Sequence, residues 1–304
     1  AAAAAAEAGH GGLLGALLAA RQPEAQGSWQ AAVVEVCPGC GGDTPQNLCS
    51  RCQQVAYCCP ECQRRHWAVH KRACCKPAAG LGAAGSSDAM RYVHTVWGLW
   101  DAAPLPAACR GTRADAAQLL PQARAVVWSR QAVESLLEGG WKEVWPALPR
   151  GVCQADVARY LIALHVGGLY LDADAELLKP PPEGAWQVLL LVEQRVPDAK
   201  FLGPREAPHL VRMAQFAFAA APQHPFWRSV LELSLERCRQ LLREGEAWQD
   251  GDVLWATGPD VVTTVYHERF QSDPSIEVRL AKDLVRHECA GAWRRGADRQ
   301  GRAG

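Results

Sequence analysis

Two aspartates, Asp172 and Asp174, stand one residue apart in GGLYLDADAELLKP, residues 167–180, where an apolar run should be ending as a strand. Side chains alternate across a strand, so both carboxylates would project to one side, within reach of one cation. Carboxylates that close repel, and each resists ionising without a positive charge nearby. A divalent metal bridging a diphosphate resolves the conflict and neutralises a leaving group. The plainer alternative is a solvated turn. A second set of donors lies upstream, because nine of the thirteen cysteines fall between Cys37 and Cys75. Their spacing is Cys37-x2-Cys40, Cys49-x2-Cys52, Cys58-x3-Cys62 and, with a histidine, His70-x3-Cys74. A two-residue spacing lets one knuckle point both thiolates at one metal, and a three-residue spacing sets two ligands on one helical face. Eight donors make two tetrahedral zinc sites. A segment of about 40 residues with few large apolar groups could hardly fold without that metal. A disulfide framework is the alternative, and the paired spacing and the histidine argue against it.

The elements that must position these groups follow from the apolar pattern. RYVHTVW from Arg91 and ARAVVWS from Ala123 read as strands, with a helical pattern between them. SRQAVESLLEGG reads as a helix stopped by Gly139–Gly140, and QADVARYLIALHVGG as a second with Val157, Leu161 and Leu164 on one face and another Gly–Gly stop. LYLDADAELL then follows as a strand. Strands alternating with helices indicate an α/β layer with a largely parallel sheet. The aspartates would sit at a strand's carboxyl end, where open α/β sheets build their ligand sites.

The cysteine segment, with AYC before the third pair and CQRRHWAVHKRAC closing it, resembles a MYND-type zinc finger. The resemblance implies an interleaved arrangement, with Cys37, Cys40, Cys58 and Cys62 on one zinc and Cys49, Cys52, His70 and Cys74 on the other. Cys59 and Cys75 are then spare, although Cys59-x2-Cys62 would also make a knuckle. His66 reads as a surface residue. MYND modules bind short, often proline-containing peptides of partner proteins, so the implied role is interaction.

DVARYLIALHVGGLYLDADAELLKP resembles the segment shared by DXD-motif sugar transferases, a group of mannosyltransferase-like enzymes with a GT-A-like fold. The family pattern D-x-x-R, then a hydrophobic helix, then G-G-x-Y-x-D-x-D falls here on Asp156, Arg159, Gly167, Gly168, Tyr170, Asp172 and Asp174. Further echoes appear in order at VHTVW, APQHPFW, ATGPDVV and HECAGAW. The resemblance implies that Asp172 and Asp174 hold Mn²⁺ or Mg²⁺ and, through it, the nucleotide diphosphate. It implies that Asp156 and Arg159 contact the sugar and its phosphate; their alternative is an intrahelical ion pair. Trp97 would stack near the base, or else be a core tryptophan. His224 is a turn or a site residue, and Gly258 and Pro259 shape a loop. His287 and Trp293 match a closing H-x-x-x-G-S-W, in which Ala292 here replaces the serine.

The chain therefore divides, as expected from sequence, into a low-complexity stretch 1–34, a zinc finger 35–76, a flexible Gly/Ala/Ser linker 77–90 and a GT-A-like nucleotide-sugar domain 91–304. The implied reaction is hexose transfer from a nucleotide sugar to an acceptor hydroxyl, with retention of configuration. The alternative is a zinc-dependent adaptor whose second domain is a degenerate scaffold. Lys and Arg total 32 and Asp and Glu total 32, a balance that argues against a broad nucleic-acid footprint. Residues 1–22 are too polar and broken for a membrane span and lack a basic n-region. With zinc thiolates favouring a reducing compartment, the expected location is the cytosol, or the Golgi if an N-terminal signal is missing.

Overall fold

The computed structural model describes residues 33–41, 45–51, 55–71, 74, 90–99, 109, 115–195 and 211–287. The low-complexity residues before 33, linker residues 77–89, Cys52, Cys75 and Trp293 lie outside them. The finger holds β1 (Val33–Val36), a two-stranded pair β2 (Asn47–Leu48) and β3 (Ala56–Tyr57), and α1 (Pro60–His70) with proline in its first turn. The larger part begins with β4 (Tyr92–Val96), β5 (Arg124–Trp128), α2 (Arg130–Glu134), α3 (Trp141–Ala147) and α4 (Gly151–His165). It continues through β6 (Gly168–Leu171), β7 (Ala175–Leu177), β8 (Val188–Arg195), β9 (Val211–Met213) and β10 (Ala217–Ala220). It closes with α5 (Pro225–Glu244), α6 (Asp250–Ala256), α7 (Pro259–Val265), β11 (Ile276–Leu280), α8 (Ala281–Leu284) and β12 (Val285–His287).

The architecture is α/β, around one mixed sheet of order β1-β5-β4-β6-β10-β8-β11, with β9 also on β8. Five strands, β5, β4, β6, β8 and β11, run one way, as a parallel sheet requires. β10 runs against both its neighbours, so the sheet is mixed rather than largely parallel. β1 pairs antiparallel with β5, Val33 opposite Trp128. The strand thus crosses the expected boundary at residue 34, and the start of the finger segment belongs to the edge of the large sheet.

Residues alternate between two cores. Val126, Trp128, Tyr170, Val188, Leu190 and Phe218 pack on one face, and Ala125, Val127, Leu169, Leu171, Leu189 and Ala217 on the other. Both faces are therefore covered, which is why these strands read as continuous apolar runs rather than as alternating ones. α4 is buried from Val157 through Leu164 on every side, not along one stripe. It ends where Gly167 and Gly168 take φ of 70° and 96°. A Cβ at Gly168 would stand 2.6 Å from the His94 ring and 3.0 Å from the Tyr92 carbonyl. Only glycine turns the chain from helix to strand there.

Two sequence elements differ in extent. The helix expected to reach Gly139 stops at Glu134: Ser129 Oγ caps its start, and Ser135 turns its hydroxyl onto the Ala132 carbonyl. LYLDADAELL is two strands, β6 and β7, broken at the aspartates, where Ala175 N–H donates to the Asp172 carbonyl and closes a turn. Among the described residues, no helix is long and apolar enough to cross a membrane.

Candidate functional site

In the finger, the ligand atoms of Cys37, Cys40, Cys58 and Cys62 lie within 4.8 Å of one another, and those of Cys49, His70 and Cys74 form a second group. The fourfold group takes Cys58 and leaves Cys59 outside, 3.6 Å from Cys62 Sγ. Cys52, the expected fourth member of the second group, is outside the described residues. Tetrahedral zinc with sulfurs at about 2.3 Å sets them about 3.8 Å apart. The Cys40–Cys58 and Cys49–Cys74 sulfurs stand 3.5 and 3.7 Å apart, so both groups fit that ion. Burial and the neighbouring thiols push the Cys58 thiol up to about 12, as expected of sulfurs that need a cation to ionise together. The knuckle at Gly39 is tight enough that a Cβ there would meet Cys62 at 2.6 Å.

The carboxylate site is built at the carboxyl end of β6. Asp172 leaves the strand just past Leu171, its N–H held by the Phe216 carbonyl at 2.8 Å. β12 pairs with β7, setting His287 opposite Ala175, and Phe216 stacks on the His287 ring at 4.2 Å. Ligand atoms of Asp172, Asp174 and His287 thereby come within 4.8 Å of one another. His287 Nε2 lies 3.3 Å from Asp174. Burial opposes charge on both, yet their hydrogen bond prevails, lowering Asp174 and raising His287. Two carboxylates and one imidazole, each part-exposed, suit a hard divalent cation with open positions for water or substrate.

The carboxylates gather by a turn, not by strand alternation, and the charge that relieves Asp172 comes from the protein itself. Arg159 Nη1 lies 3.0 and 3.1 Å from its two oxygens, and the Tyr170 hydroxyl donates to Oδ1 at 2.7 Å. Arg159 also donates to the Gln215 carbonyl at 3.1 Å and pairs with Asp156 at 3.1 Å. Asp156 is 1% exposed and receives Gln215 Nε2 and the Thr257 hydroxyl. Its burial raises the carboxyl to about 7 against the pull of Arg159. Tyr160 completes the layer, its single hydroxyl proton facing three acceptors, Gln215 Oε1 at 2.7 Å and the carbonyls of Thr257 at 2.8 Å and Gly258 at 3.2 Å.

Asp156 and Arg159, the latter 5% exposed, form an ion pair beneath the site. They position Asp172. Gln215, Thr257 and Tyr160 belong to the same layer and were given no role by the sequence reading, although Tyr160 and Thr257 fell inside segments already singled out. Trp97 follows β4 directly, beside β6, and its partly buried side chain packs against the core on one face of the sheet. Its indole N–H is buried without a hydrogen-bond partner among the described residues. His224 is structural, capping α5 through Nδ1 and meeting the Ser275 hydroxyl through Nε2. Gly258 and Pro259 begin α7. Trp293 falls outside the described residues.

Comparison with known proteins matches two families. Residues 37–74 match the MYND finger, which implies zinc binding, and residues 106–195 match the glycosyltransferase sugar-binding region containing DXD motif. Inositol phosphoceramide mannosyltransferase 1 of Schizosaccharomyces pombe is 27% identical over 104 residues, covering 33% of this chain and 28% of that protein. Initiation-specific alpha-1,6-mannosyltransferase of Candida albicans is 25% identical over 137 residues, covering 40% of this chain and 36% of that protein. The chain therefore spans about a third of the length of these relatives. The solved PaToxG Glycosyltransferase aligns over 61% of this chain and 72% of its own, at 13% identity and a TM-score of 0.38.

Proposed function

We propose that this chain is a metal-dependent hexosyltransferase, moving a hexose from a nucleotide sugar to a hydroxyl of a sugar, protein or lipid with retention of configuration. The observation that supports it is the convergence of Asp172, Asp174 and His287 at a strand's carboxyl end, over a buried arginine that fixes Asp172. Mn²⁺ or Mg²⁺ bound there would neutralise the charge that gathers on a departing diphosphate. The protein's part is to hold its donors still. Arg159 and the Tyr170 hydroxyl restrain Asp172, Asp156 restrains Arg159, and the β7–β12 pairing brings His287 to Asp174. Trp97, partly buried just past β4, is the aromatic ring on which a nucleotide base would stack.

In this reading the finger, residues 35–76, carries two structural zinc ions and meets short peptide motifs of a partner, and residues 91–304 form the transferase domain. Thiolate zinc sites suit a reducing compartment, which supports a cytosolic location. One observation favours an adaptor with a degenerate transferase domain: Ala292 stands where the family's closing motif has serine, removing one hydroxyl. The deciding experiment measures metal content and nucleotide-sugar turnover of the purified chain. Two zinc ions per chain, with binding and slow hydrolysis of a nucleotide sugar only when Mn²⁺ is added, are expected. A zinc-loaded chain that binds no nucleotide sugar in Mn²⁺ would sink the transferase reading and leave the adaptor.

A further inference from the structure

His66 belongs to neither thiol group, yet it is 3% exposed, and both its ring nitrogens are engaged. Nδ1 lies 3.0 Å from the buried Tyr57 hydroxyl, and Nε2 lies 3.1 Å from the carbonyl of Ala117, far along the chain. His70, four residues on and stacked beside it at 5.7 Å, puts Nδ1 3.2 Å from the carbonyl of Pro121. The sequence reading of His66 as a surface residue is corrected: it faces the other half of the molecule.

The two carbonyls explain the contact. Residues 115–119 form one short helical run, in which Leu120 N–H bonds to the Ala116 carbonyl. The next bond of that ladder would join the Ala117 carbonyl to the N–H of residue 121, but residue 121 is proline and has none. Ala117 is nearly fully buried, so an unmet carbonyl there would be costly. His66 Nε2–H supplies the missing donor, and the Tyr57 hydroxyl, donating to Nδ1, fixes the tautomer that permits it. Ala116 and Leu120 pack into the core on one face of the sheet, and Ala123 leads directly into β5.

We propose that this face of α1 is a docking surface whose partner is the chain itself, and that metal in the Cys49/His70/Cys74 group braces residues 115–123 and the start of β5. With a metal on Nε2, His70 Nδ1–H would donate to Pro121, an outer hydrogen bond of the kind that orients ligating histidines. The finger is then a structural part of the larger domain, and its capacity for peptides is confined to its other faces. The proposal rests on the zinc reading of the finger and is independent of transferase activity.

Hydrogen exchange on the full-length, zinc-loaded chain tests it without any nucleotide sugar. His66→Phe keeps a ring but removes both nitrogens and leaves every thiol and His70 in place. Zinc content should be unchanged, while amides of residues 116–125 exchange roughly tenfold faster or more, with those of α7 as the unaffected control. Pro121→Ala returns an N–H to the ladder, so adding it to His66→Phe should recover part of the lost protection. Chelating zinc from the wild-type chain should deprotect the same amides. Should His66→Phe itself lose zinc, the chelation result decides. Wild-type protection of residues 116–125 in zinc-loaded His66→Phe, or in the chelated wild-type chain, would overturn the proposal.

Discussion

Replacing Asp172 by Asn tests whether the opening pair of aspartates is a strained anionic couple or part of an already neutralised network. Repulsion between Asp172 and Asp174, taken alone, predicts a metal-free protein that is as stable or more stable after the change. The structure reverses that sign. Arg159 faces Asp172 at 3.0 Å and is buried, so the substitution leaves its guanidinium with Asp156 as its one remaining carboxylate. Opposite unit charges at that separation attract by roughly 5–6 kcal/mol at an effective dielectric of about 20. Most of this is offset by desolvation, and a hydrogen bond to a charged group contributes about 1.5–3 kcal/mol net. The substituted amide would keep an acceptor for the Tyr170 hydroxyl, which favours the lower half of that range. Urea unfolding in EDTA, with Asp174→Asn as comparator, gives the measurement. Asp174 is part-exposed and meets His287 at 3.3 Å, so its loss should cost less than about 1 kcal/mol. Both variants should abolish Mn²⁺-dependent nucleotide-sugar binding. An Asp172→Asn protein at least as stable as wild type would refute the counter-ion role of Arg159.

Gly168→Ala should cost about 2–4 kcal/mol in denaturant unfolding, since it adds a Cβ at φ 96° into the His94 ring; a loss under about 1 kcal/mol would mean the backbone relaxes freely. His94, fully buried and accepting from the Trp128 indole, is held by burial at a pKa of about 3. The unfolded chain takes up that proton near pH 6.5 and the native chain does not, so stability falls as pH drops from about 6.5 towards 3. At pH 4.5 the loss relative to pH 7 is about 2–3 kcal/mol from this group. His94→Asn, which keeps an acceptor for Trp128, should flatten that part of the stability-versus-pH curve; an unchanged slope would rule His94 out as its source.

The sequence showed most clearly what depends on neighbours along the chain. β4 and β5 are short β-branched runs, α4 is a long apolar helix with a Gly–Gly stop, and the knuckle spacings are local geometry. What it hid depends on residues brought from afar. Arg159 as the counter-ion of Asp172 spans 13 positions, and the Gln215 and Thr257 bonds to Asp156 span 59 and 101. β10, built from AFAA, has no β-branched residue to mark it, and its antiparallel run shows only in the assembled sheet. The break at Asp172 was obscured because an apolar run continues on both sides of it. His66 looked exposed because α1 is polar by composition; its cover is a carbonyl stranded by a proline 55 residues later.

The position of β10 has a consequence for how the chain comes off the ribosome. β6 and β8 are made first, but in the finished sheet β10 lies between them, its Ala219 opposite Leu169 on one side and Leu189 on the other. Until residue 220 has emerged, the two earlier strands have open edges that face a vacant lane, and pairing with each other would shut the later strand out. Residues 106–195, the stretch matched to the sugar-binding region, end before that lane is filled. A nascent chain paused there holds Asp172 and Arg159 but neither Gln215 nor His287, and its unpaired strand edges are the kind on which misassembly starts.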